Sequence, residues 1–274
     1  MKKLGIAVPI TNRRSYFDQW LCGIQDYLKD QKVKDYCIVA TEQEDTDLYY
    51  FSLAMARNVG MSYAFARQDC DYITSVDVDI IPVRSVNYGW EGMNEVNFTS
   101  FGGVKIDKDA FIKTNGYSSL YHGWGYEDTD FLFRLEHLGI EHERWAQNAG
   151  TAAICLDLER DYCDMDEARK WSRKYWGMDG ADASTKVPIM IGAAAPKQVV
   201  NTTKGWRLPT QRDTNRFIAD VTRKLTSEQQ DRYINTYGVR NLDMSRVIVE
   251  EIKKNVHILK YRMPHIYNKE PLVF

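Results

Sequence analysis

The sequence predicts an α/β fold in which helices flank a central, mainly parallel sheet, followed by a mostly helical C-terminal extension. Short apolar runs alternate with segments of helical periodicity through the first half of the chain, which is typical of a sheet covered on both faces. Two or three helical patterns then occupy residues 210–254. With 274 residues, the chain is long enough for one large domain or two modest ones.

The elements of the first half follow from local patterns. In chain order, a strand, a helix, a strand, a helix and a β-rich segment are predicted over Leu4–Ile10, Tyr16–Leu28, Tyr36–Ala40, Asp47–Arg67 and Asp71–Ile81. Asp47 is the predicted N-cap of the second helix, and Pro82 is predicted to end the β-rich segment. Ligands bind beyond the carboxyl ends of the strands in such sheets, so we expect functional residues after Ile10, after Ala40 and near Ser75–Pro82.

The second half of the chain is less regular. Its predicted elements are a strand broken by two glycines, a short helix, a longer helix and a strand, over Asn97–Ile106, Asp107–Thr114, Glu127–Leu138 and Ala152–Leu156. The segment Trp176–Pro196 is rich in Gly, Ala and Asp, and it is predicted to be a linker or mobile loop. We therefore predict a domain over residues 1–185 and an extension over residues 186–274, either separate from that domain or packed on it.

The charge is distributed unevenly between these two parts. The chain as a whole carries 36 basic and 38 acidic residues, a net charge of −2. Residues 1–185 carry 20 basic and 30 acidic residues, whereas residues 186–274 carry 16 basic and 8 acidic residues. The near-neutral net charge of the whole chain therefore conceals an acidic part, residues 1–185, and a basic C-terminal part, residues 186–274.

The composition excludes several classes of protein. At 44% apolar and 27% charged residues, the chain is neither disordered nor collagen-like. No apolar run reaches the roughly 18–20 residues that a membrane-spanning helix needs. The five cysteines form no Cys-x-x-Cys pair, which argues against a zinc knuckle or a disulfide framework and favours reduced thiols in the cytoplasm.

Two aspartates, Asp77 and Asp79, lie near the end of the β-rich segment. On a strand, their spacing of two residues would direct both carboxylates to one face of the sheet. Carboxylate oxygens suit Mg²⁺ or Mn²⁺, and either ion neutralises a diphosphate. Asp-x-Asp pairs also end strands as turn formers, but a buried strand has no structural need for two carboxylates near its end.

A second acidic cluster follows a loop of glycine and tryptophan. Residues 123–125 read Gly-Trp-Gly, and Glu127, Asp128 and Asp130 then come at the predicted start of a helix. The helix dipole favours acidic residues at this place, which explains one or two of them but not the loop. The functional interpretation is that one carboxylate deprotonates an incoming hydroxyl while another positions it. The presence of both clusters in one chain favours this interpretation.

Four blocks of the sequence resemble the β-1,4-galactosyltransferase family, whose members are inverting, metal-dependent glycosyltransferases with a Rossmann-like GT-A fold. In chain order, the blocks are Val8–Arg13, Phe51–Gly60, Asp69–Pro82, and Phe101–Val104 together with Trp124–Leu135. The resemblance spans roughly residues 4–160. Within the family, the chain resembles a bacterial or bacteriophage member. The last two blocks are the most specific.

The resemblance implies a role for each matching residue. It implies that the UDP part of a UDP-sugar is bound by Pro9, Ile10, Thr11, Arg13, Phe51, Arg57, Asp77, Val78 and Trp124. Within this set, Asp77 would lie near the ribose or behind the metal, and Trp124 would lie on a loop that closes over the donor. Asp79 would bind Mn²⁺ or Mg²⁺, and Asp128 would be the catalytic base with Glu127 beside it.

The sequence also departs from the family pattern. The family's arginine two residues after the phenylalanine is Leu53 here, so a phosphate or base contact is either missing or moved to Arg57. One acid of the family's acidic run is Thr129, which would change the contacts to the acceptor. In a gapless alignment, Asp157 replaces the family's later metal-binding histidine, with His137 and His142 as alternative ligands.

The basic C-terminal part raises the question of the acceptor. It is either a solvated appendage or a surface for an anionic acceptor, because Lys and Arg favour phosphate groups. We consider a hydroxylated base in DNA, as modified by some bacteriophage enzymes, and alternatively a capsule, lipopolysaccharide or other glycan. Two further alternatives are a non-catalytic module that binds a sugar nucleotide or glycan, and a nucleotidyltransferase.

Overall fold

A computed structural model describes residues 2–44, 51–84, 87–90, 96–98, 103–123, 125–144, 154–157, 189–191 and 211–263. The helices are α1 (Arg14–Asp30), α2 (Leu53–Arg67), α3 (Lys108–Thr114), α4 (Glu127–His137), α5 (Gln211–Thr222) and α6 (Ser227–Thr236). The strands are β1 (Leu4–Pro9), β2 (Tyr36–Gln43), β3 (Tyr72–Ser75), β4 (Ile80–Arg84), β5 (Val96–Phe98), β6 (Val104–Asp107), β7 (His142–Arg144), β8 (Ile154–Asp157), β9 (Ile189–Ile191), β10 (Ile248–Lys253) and β11 (Val256–Tyr261).

The main sheet has the strand order β10-β11-β2-β1-β3-β6-β5-β7 among the described residues. Strands β11, β2, β1 and β3 run parallel to one another in one half of it. Antiparallel pairing joins β10 to β11, β3 to β6 and β6 to β5. A separate three-stranded sheet has the order β4-β8-β9. The predicted α/β architecture with a mainly parallel central sheet is therefore confirmed.

Two hydrophobic cores lie on opposite faces of the main sheet. Strand β1 supplies both, because Leu4, Ile6 and Val8 pack with α1 whereas Ala7 packs with α2. The close approach of α2 to the sheet depends on Gly60, since a Cβ atom there would lie 3.2 Å from the Ala7 Cβ. Helix α2 therefore lies directly against the strands that end at the candidate site.

The start of α2 differs from the prediction. The helix begins at Leu53, and the Ser52 hydroxyl caps it by accepting a hydrogen bond from the Met55 N–H at 3.2 Å. Asp47, the predicted cap, lies outside the described residues. The helix therefore starts beside Phe51, which brings the N-terminus of α2 to the ends of the strands.

The β-rich segment is two strands rather than one. Strands β3 and β4 are separated by residues 76–79, with a turn at Val78–Asp79. Pro82 lies inside β4 and is paired with Cys155 of β8, so the prediction that it ends the strand is wrong. The interruption matters for function, because it moves Asp77 and Asp79 off the strand and into the connection.

The described C-terminal residues extend the main sheet. The hairpin β10–β11 joins it through parallel pairing of β11 with β2, beginning with Val256 opposite Ile38. Helices α5 and α6 confirm two helices within the predicted helical region 210–254, but Ile248–Lys253 is strand β10, so the prediction is wrong at the end of that region. Both the predicted boundary at residue 185 and most of the predicted linker Trp176–Pro196 lie outside the described residues. Within the described ranges, no helix is both long enough and apolar enough to cross a membrane.

Candidate active site

The candidate site lies beyond the carboxyl ends of β1, β2 and β3, where a parallel sheet is expected to bind its ligand. Residues 10–13 follow β1, Gln43 ends β2, and residues 76–79 follow β3. The N-termini of α2 and α4 face the same region, because Gly123 N–H donates a hydrogen bond to the Phe51 carbonyl at 2.5 Å. The described parts of the four sequence blocks thus meet in space, although more than 100 residues lie between the first block and the part of the last block that forms α4.

A line of hydrogen bonds fixes the loops around this region. The Thr11 hydroxyl accepts from the Gln43 N–H at 2.8 Å, and the Gln43 side-chain oxygen accepts from the Ser52 N–H at 3.2 Å. The Ser52 hydroxyl in turn donates to the Tyr121 carbonyl at 2.7 Å. The loops after β1 and β2, the start of α2 and the loop before α4 therefore form one connected frame. Gln43 belongs to this frame, although it is not part of any motif recognised in the sequence.

Asp77 and Asp79 do not share one face of a strand, so the strand geometry predicted for them is wrong. The turn at Val78–Asp79 lets each carboxylate take a different basic partner. Arg13 Nη1 lies 2.5 Å from Asp79 Oδ2, and Asp79 is only 7% exposed. Asp77 is 30% exposed and accepts a hydrogen bond from Arg57 Nη2 at 3.1 Å. The two carboxylates still belong to the same short connection at the strand ends.

The strand register brings Asp157 next to Asp79 along the backbone. Strands β4 and β8 pair antiparallel, with Asp157 directly opposite Ile80, the residue after Asp79. This proximity agrees with the gapless alignment that made Asp157 a candidate ligand; the description of Asp157 covers its backbone only. Two carboxylates at adjacent positions suit Mn²⁺ or Mg²⁺, which prefer oxygen ligands. Among the described side chains, no group of three His, Cys, Asp or Glu residues is arranged to hold a metal.

The alternative metal ligands are engaged elsewhere. His137 ends α4, and its Nε2 lies 2.7 Å from Asp231 Oδ1 in the C-terminal part. His142 begins β7, and its Nδ1 lies 3.2 Å from the Ile140 carbonyl. Both therefore make contacts away from the connection that carries Asp79. Asp157 is therefore the better candidate.

Arg57 is the buried cation of the site. Its side chain is 1% exposed, and its Nη1 and Nη2 atoms lie 3.4 Å from Glu127 Oε1 and 3.1 Å from Asp77 Oδ1. The guanidinium also lies over the Tyr117 ring, 5.4 Å from the ring centroid. Both Nη groups are therefore directed at carboxylates. The contact of Arg57 with the donor's phosphate or base stays a prediction.

The two acids at the start of α4 have different environments. Glu127 is 5% exposed, and its Oε2 accepts a hydrogen bond from the Gly125 N–H at 3.1 Å. Burial raises the pKa of Glu127, although the Arg57 guanidinium opposes this shift. Asp128 is exposed, and its Oδ1 accepts from the Thr129 N–H at 2.8 Å. Asp128 is thus open to a substrate, whereas Glu127 is held by protein groups.

The third acid of this cluster has a structural role, which corrects its inclusion among the functional acids. Asp130 is 1% exposed, and its Oδ2 accepts from Arg134 Nε at 2.9 Å. Its Oδ1 accepts from the Tyr233 hydroxyl at 2.7 Å and from the Tyr121 hydroxyl at 3.3 Å. This network joins α4 to α6 and stabilises the packing of the C-terminal part against the first half of the chain.

The remaining predicted site residues fall into two groups. Pro9, Ile10 and Val78 are buried at the strand ends, with Ile10 and Val78 in the core on the α1 face, while Phe51 is partly exposed. Trp124 lies outside the described residues, but both sides of its loop are described. Asn215 of α5 donates from Nδ2 to the His122 carbonyl at 2.7 Å and to the Gly125 carbonyl at 3.0 Å. No signal in the sequence identifies this asparagine.

A mainly parallel sheet with an acidic, metal-compatible connection beyond its strand ends defines the GT-A class of glycosyltransferase folds. A family model described as the N-terminal region of glycosyl transferase group 7 matches residues 1–89. A second model, described as the N-terminal domain of galactosyltransferase, matches residues 91–154. The chain belongs to this galactosyltransferase family, which confirms the resemblance seen in the sequence.

Two galactosyltransferases align with about half of this chain. Mouse beta-1,4-galactosyltransferase 1 is 30% identical over 157 residues, which are 52% of this chain and 39% of that protein. The xylosylprotein 4-beta-galactosyltransferase of Caenorhabditis elegans is 30% identical over 148 residues, or 48% of this chain and 50% of that protein. The chain therefore spans half or less of the length of these relatives.

Solved structures show a similar fold over nearly the whole chain. The catalytic domain of Drosophila beta1,4-galactosyltransferase 7 in complex with xylobiose has a TM-score of 0.57 at 20% identity, covering 95% of this chain and 93% of that one. A mutant of the same enzyme in complex with manganese, UDP-Gal and xylobiose has a TM-score of 0.56 at 19% identity. The similarity in fold thus extends beyond residue 160, into the basic C-terminal part.

Proposed function

We propose that the protein transfers a sugar from a UDP-sugar to a hydroxyl group of an acceptor sugar, with inversion at the anomeric carbon and with Mn²⁺ bound. The observation that carries the proposal is the meeting of the two acidic clusters through Arg57, which contacts Asp77 and Glu127. The manganese and UDP-Gal bound to the Drosophila enzyme support the same donor chemistry here.

Asp128 is the base in this proposal. It is exposed at the N-terminus of α4, and the Thr129 N–H holds one carboxylate oxygen at 2.8 Å. The other carboxylate oxygen takes the proton of the acceptor hydroxyl while that oxygen attacks the anomeric carbon. The bond between the anomeric carbon and the diphosphate oxygen breaks on the opposite face, so the configuration inverts.

Glu127 has a supporting role in this reaction. Its two oxygens already receive hydrogen bonds from Arg57 Nη1 at 3.4 Å and Gly125 N–H at 3.1 Å. A carboxylate used in this way holds the loop before α4 in place rather than accepting a proton. Because the loop carries Trp124, Glu127 links the acidic cluster to the residue that is expected to cover the donor.

The donor is expected to lie over the ends of β1 and β3. Thr11 and Phe51 border the region with a hydroxyl and a partly exposed ring, while Pro9 and Ile10 shape it from the end of β1. Asp79 and Asp157 would hold the metal, which when bound offsets the negative charge that develops on the departing diphosphate. Arg13, in contact with Asp79, fixes that carboxylate.

The acceptor is proposed to be a glycan. In the described C-terminal residues 211–263 there are eleven basic and seven acidic residues, so the charge is more balanced than in the segment as a whole. Several of these basic groups lie beside acids: Arg246 with Asp243, Lys260 with Glu250, Arg262 with Glu44, and Arg232 with Glu228. Ion pairs of this kind suit a solvated surface better than a phosphate-binding face. The DNA acceptor and the cytoplasmic location remain predictions.

The test is a transfer assay with a panel of donors and acceptors. Purified protein is incubated with Mn²⁺ and one of UDP-galactose, UDP-glucose, UDP-xylose or the UDP-N-acetylhexosamines, and the release of UDP is measured. Acceptors are monosaccharides, disaccharides and duplex DNA with hydroxymethylated bases. We expect Mn²⁺-dependent UDP release that rises with a sugar acceptor. Transfer to DNA alone would overturn the glycan acceptor, and donor binding without turnover would indicate a non-catalytic module.

A further inference from the structure

We propose that Arg57 is a positioning residue that holds the donor-side acid Asp77 and the acceptor-side acid Glu127 in one fixed arrangement. This inference rests on the proposed function, since it assigns Arg57 a part in the same reaction. It is an alternative to the role expected from the sequence, in which a phosphate or base contact with the donor moves to Arg57.

The contacts place Arg57 between two parts of the chain that are distant in sequence. Asp77 follows β3, whereas Glu127 begins α4, fifty residues later. Arg57 reaches both from the second turn of α2, with distances of 3.1 Å to Asp77 Oδ1 and 3.4 Å to Glu127 Oε1. A change in the Arg57 side chain therefore affects both acidic clusters at once.

The burial of Arg57 shows why this arrangement is rigid. Its side chain is 1% exposed, and a buried guanidinium is tolerated only when its charge is compensated. Glu127 is 7% exposed in its side chain, so its charge requires the same compensation. Because Arg57 and Glu127 are both buried and each compensates the charge of the other, neither can move into the solvent without a large cost. Asp77 is 30% exposed and is held through its contact with Arg57.

The position that carries the family's arginine lies one helical turn before Arg57. Leu53 and Arg57 are four residues apart on α2 and therefore lie on the same face of the helix. A guanidinium at position 57 approaches the acids from one helical turn further along α2. A guanidinium placed at position 53 would start one turn nearer to the N-terminus of α2, so the double variant below tests whether the two acids can also be held from there.

The experiment compares Arg57→Leu, Arg57→Lys and the double variant Leu53→Arg with Arg57→Leu. For each, kcat and KM are measured with the donor identified in the transfer assay, and the affinity for UDP with Mn²⁺ is measured by calorimetry. We expect Arg57→Leu to lower kcat by about 100-fold, because both acids lose their alignment. The affinity for UDP with Mn²⁺ should change by less than about threefold, because both Nη groups of Arg57 are directed at Asp77 and Glu127.

The other variants separate positioning from a general loss of structure. Lysine keeps the charge but reaches one acid at a time, so Arg57→Lys should lose only about tenfold in kcat. The double variant should recover at least about tenfold of the kcat lost by Arg57→Leu. Lys105→Met is the matched control, since it removes a buried cation whose hydrogen bonds go to the carbonyls of Asn87 and Gly89. Its kcat should equal that of the wild type.

Two results would overturn the inference while the proposed function stands. One is an Arg57→Leu enzyme whose kcat stays within about threefold of the wild type. The other is a loss of UDP affinity of more than about tenfold at unchanged kcat, which would mean that Arg57 contacts the donor. A wild-type protein that turns over none of the UDP-sugars would instead refute the proposed function itself. The three outcomes are therefore distinguishable.

Discussion

Replacing Asp130 with asparagine tests whether this acid holds the structure together rather than taking part in the reaction. Asp130 is 1% exposed, and Asp130 Oδ2 lies 2.9 Å from the Nε of Arg134, which is 0% exposed. The substitution keeps the size of the side chain and removes its charge. Arg134 would then be a buried cation without its counter-ion, and Tyr233 and Tyr121 would donate to a weaker acceptor.

The expected cost follows from this burial. Breaking a buried ion pair by removing one charge costs about 3–5 kcal/mol, and the isosteric amide retains part of the hydrogen bonding, so we expect about 3 kcal/mol. The assay is urea-induced unfolding followed by circular dichroism, with Asp128→Asn as the control. Asp128 is exposed, so the free energy of unfolding of Asp128→Asn should stay within about 0.5 kcal/mol of the wild type.

The result that would refute this reasoning is a reversal of the pattern. If Asp130→Asn unfolded with the wild-type free energy and lost transfer activity, Asp130 would belong to the reaction and not to the network with Arg134. Kinetic constants are therefore measured on the folded fraction of each variant. We expect the folded fraction of Asp130→Asn to keep most of its transfer activity.

Three further predictions address the metal, the sheet and the buried lysine. Chelation of Mn²⁺ should abolish transfer and readdition should restore it, whereas Asp79→Ala should stay inactive at any Mn²⁺ concentration that saturates the wild type; a fully active Asp79→Ala would exclude it as a ligand. Gly60→Val should lower the free energy of unfolding by about 1–3 kcal/mol, measured by urea unfolding, because even a Cβ atom at this position would lie 3.1 Å from the Thr41 methyl group. Burial lowers the pKa of Lys105 to about 8, below that of an unfolded lysine at about 10.4, so the unfolded chain binds more protons between these values. The stability of the wild type relative to Lys105→Met should therefore rise by about 2 kcal/mol from pH 7 to pH 10, and a flat difference would contradict the shift.

The alternation of apolar and helical segments was enough to predict the parallel sheet. Strands β1 and β2 are buried along nearly their whole length, so their apolar runs stand out in the sequence. The hairpin β10–β11 is different. Every residue of Ile248–Lys253 is exposed, and the spacing of Val249 and Ile252 also fits a helix, so periodicity alone could not separate the two.

The site shows a similar limit. The predicted parallel strands placed Asp77 and Asp79 beyond the carboxyl ends of the sheet. Glu127 and Asp128 were joined to them by the resemblance to the family. The residue pattern alone could not separate Asp128 from Asp130, two acids on the first turn of one helix, because their difference lies in the packing of Tyr233 and Arg134. In the same way, the role of Arg57 depends on its depth below the surface, which a local motif does not encode.

The most direct test of the proposed mechanism is the turnover of Asp128→Asn with the donor and Mn²⁺. If Asp128 is the base, kcat should fall by about 10²–10⁴-fold while the affinity for UDP with Mn²⁺ changes by less than about threefold. The free energy of unfolding should match that of the wild type. An Asp128→Asn enzyme with near-normal turnover would contradict the assignment of the base.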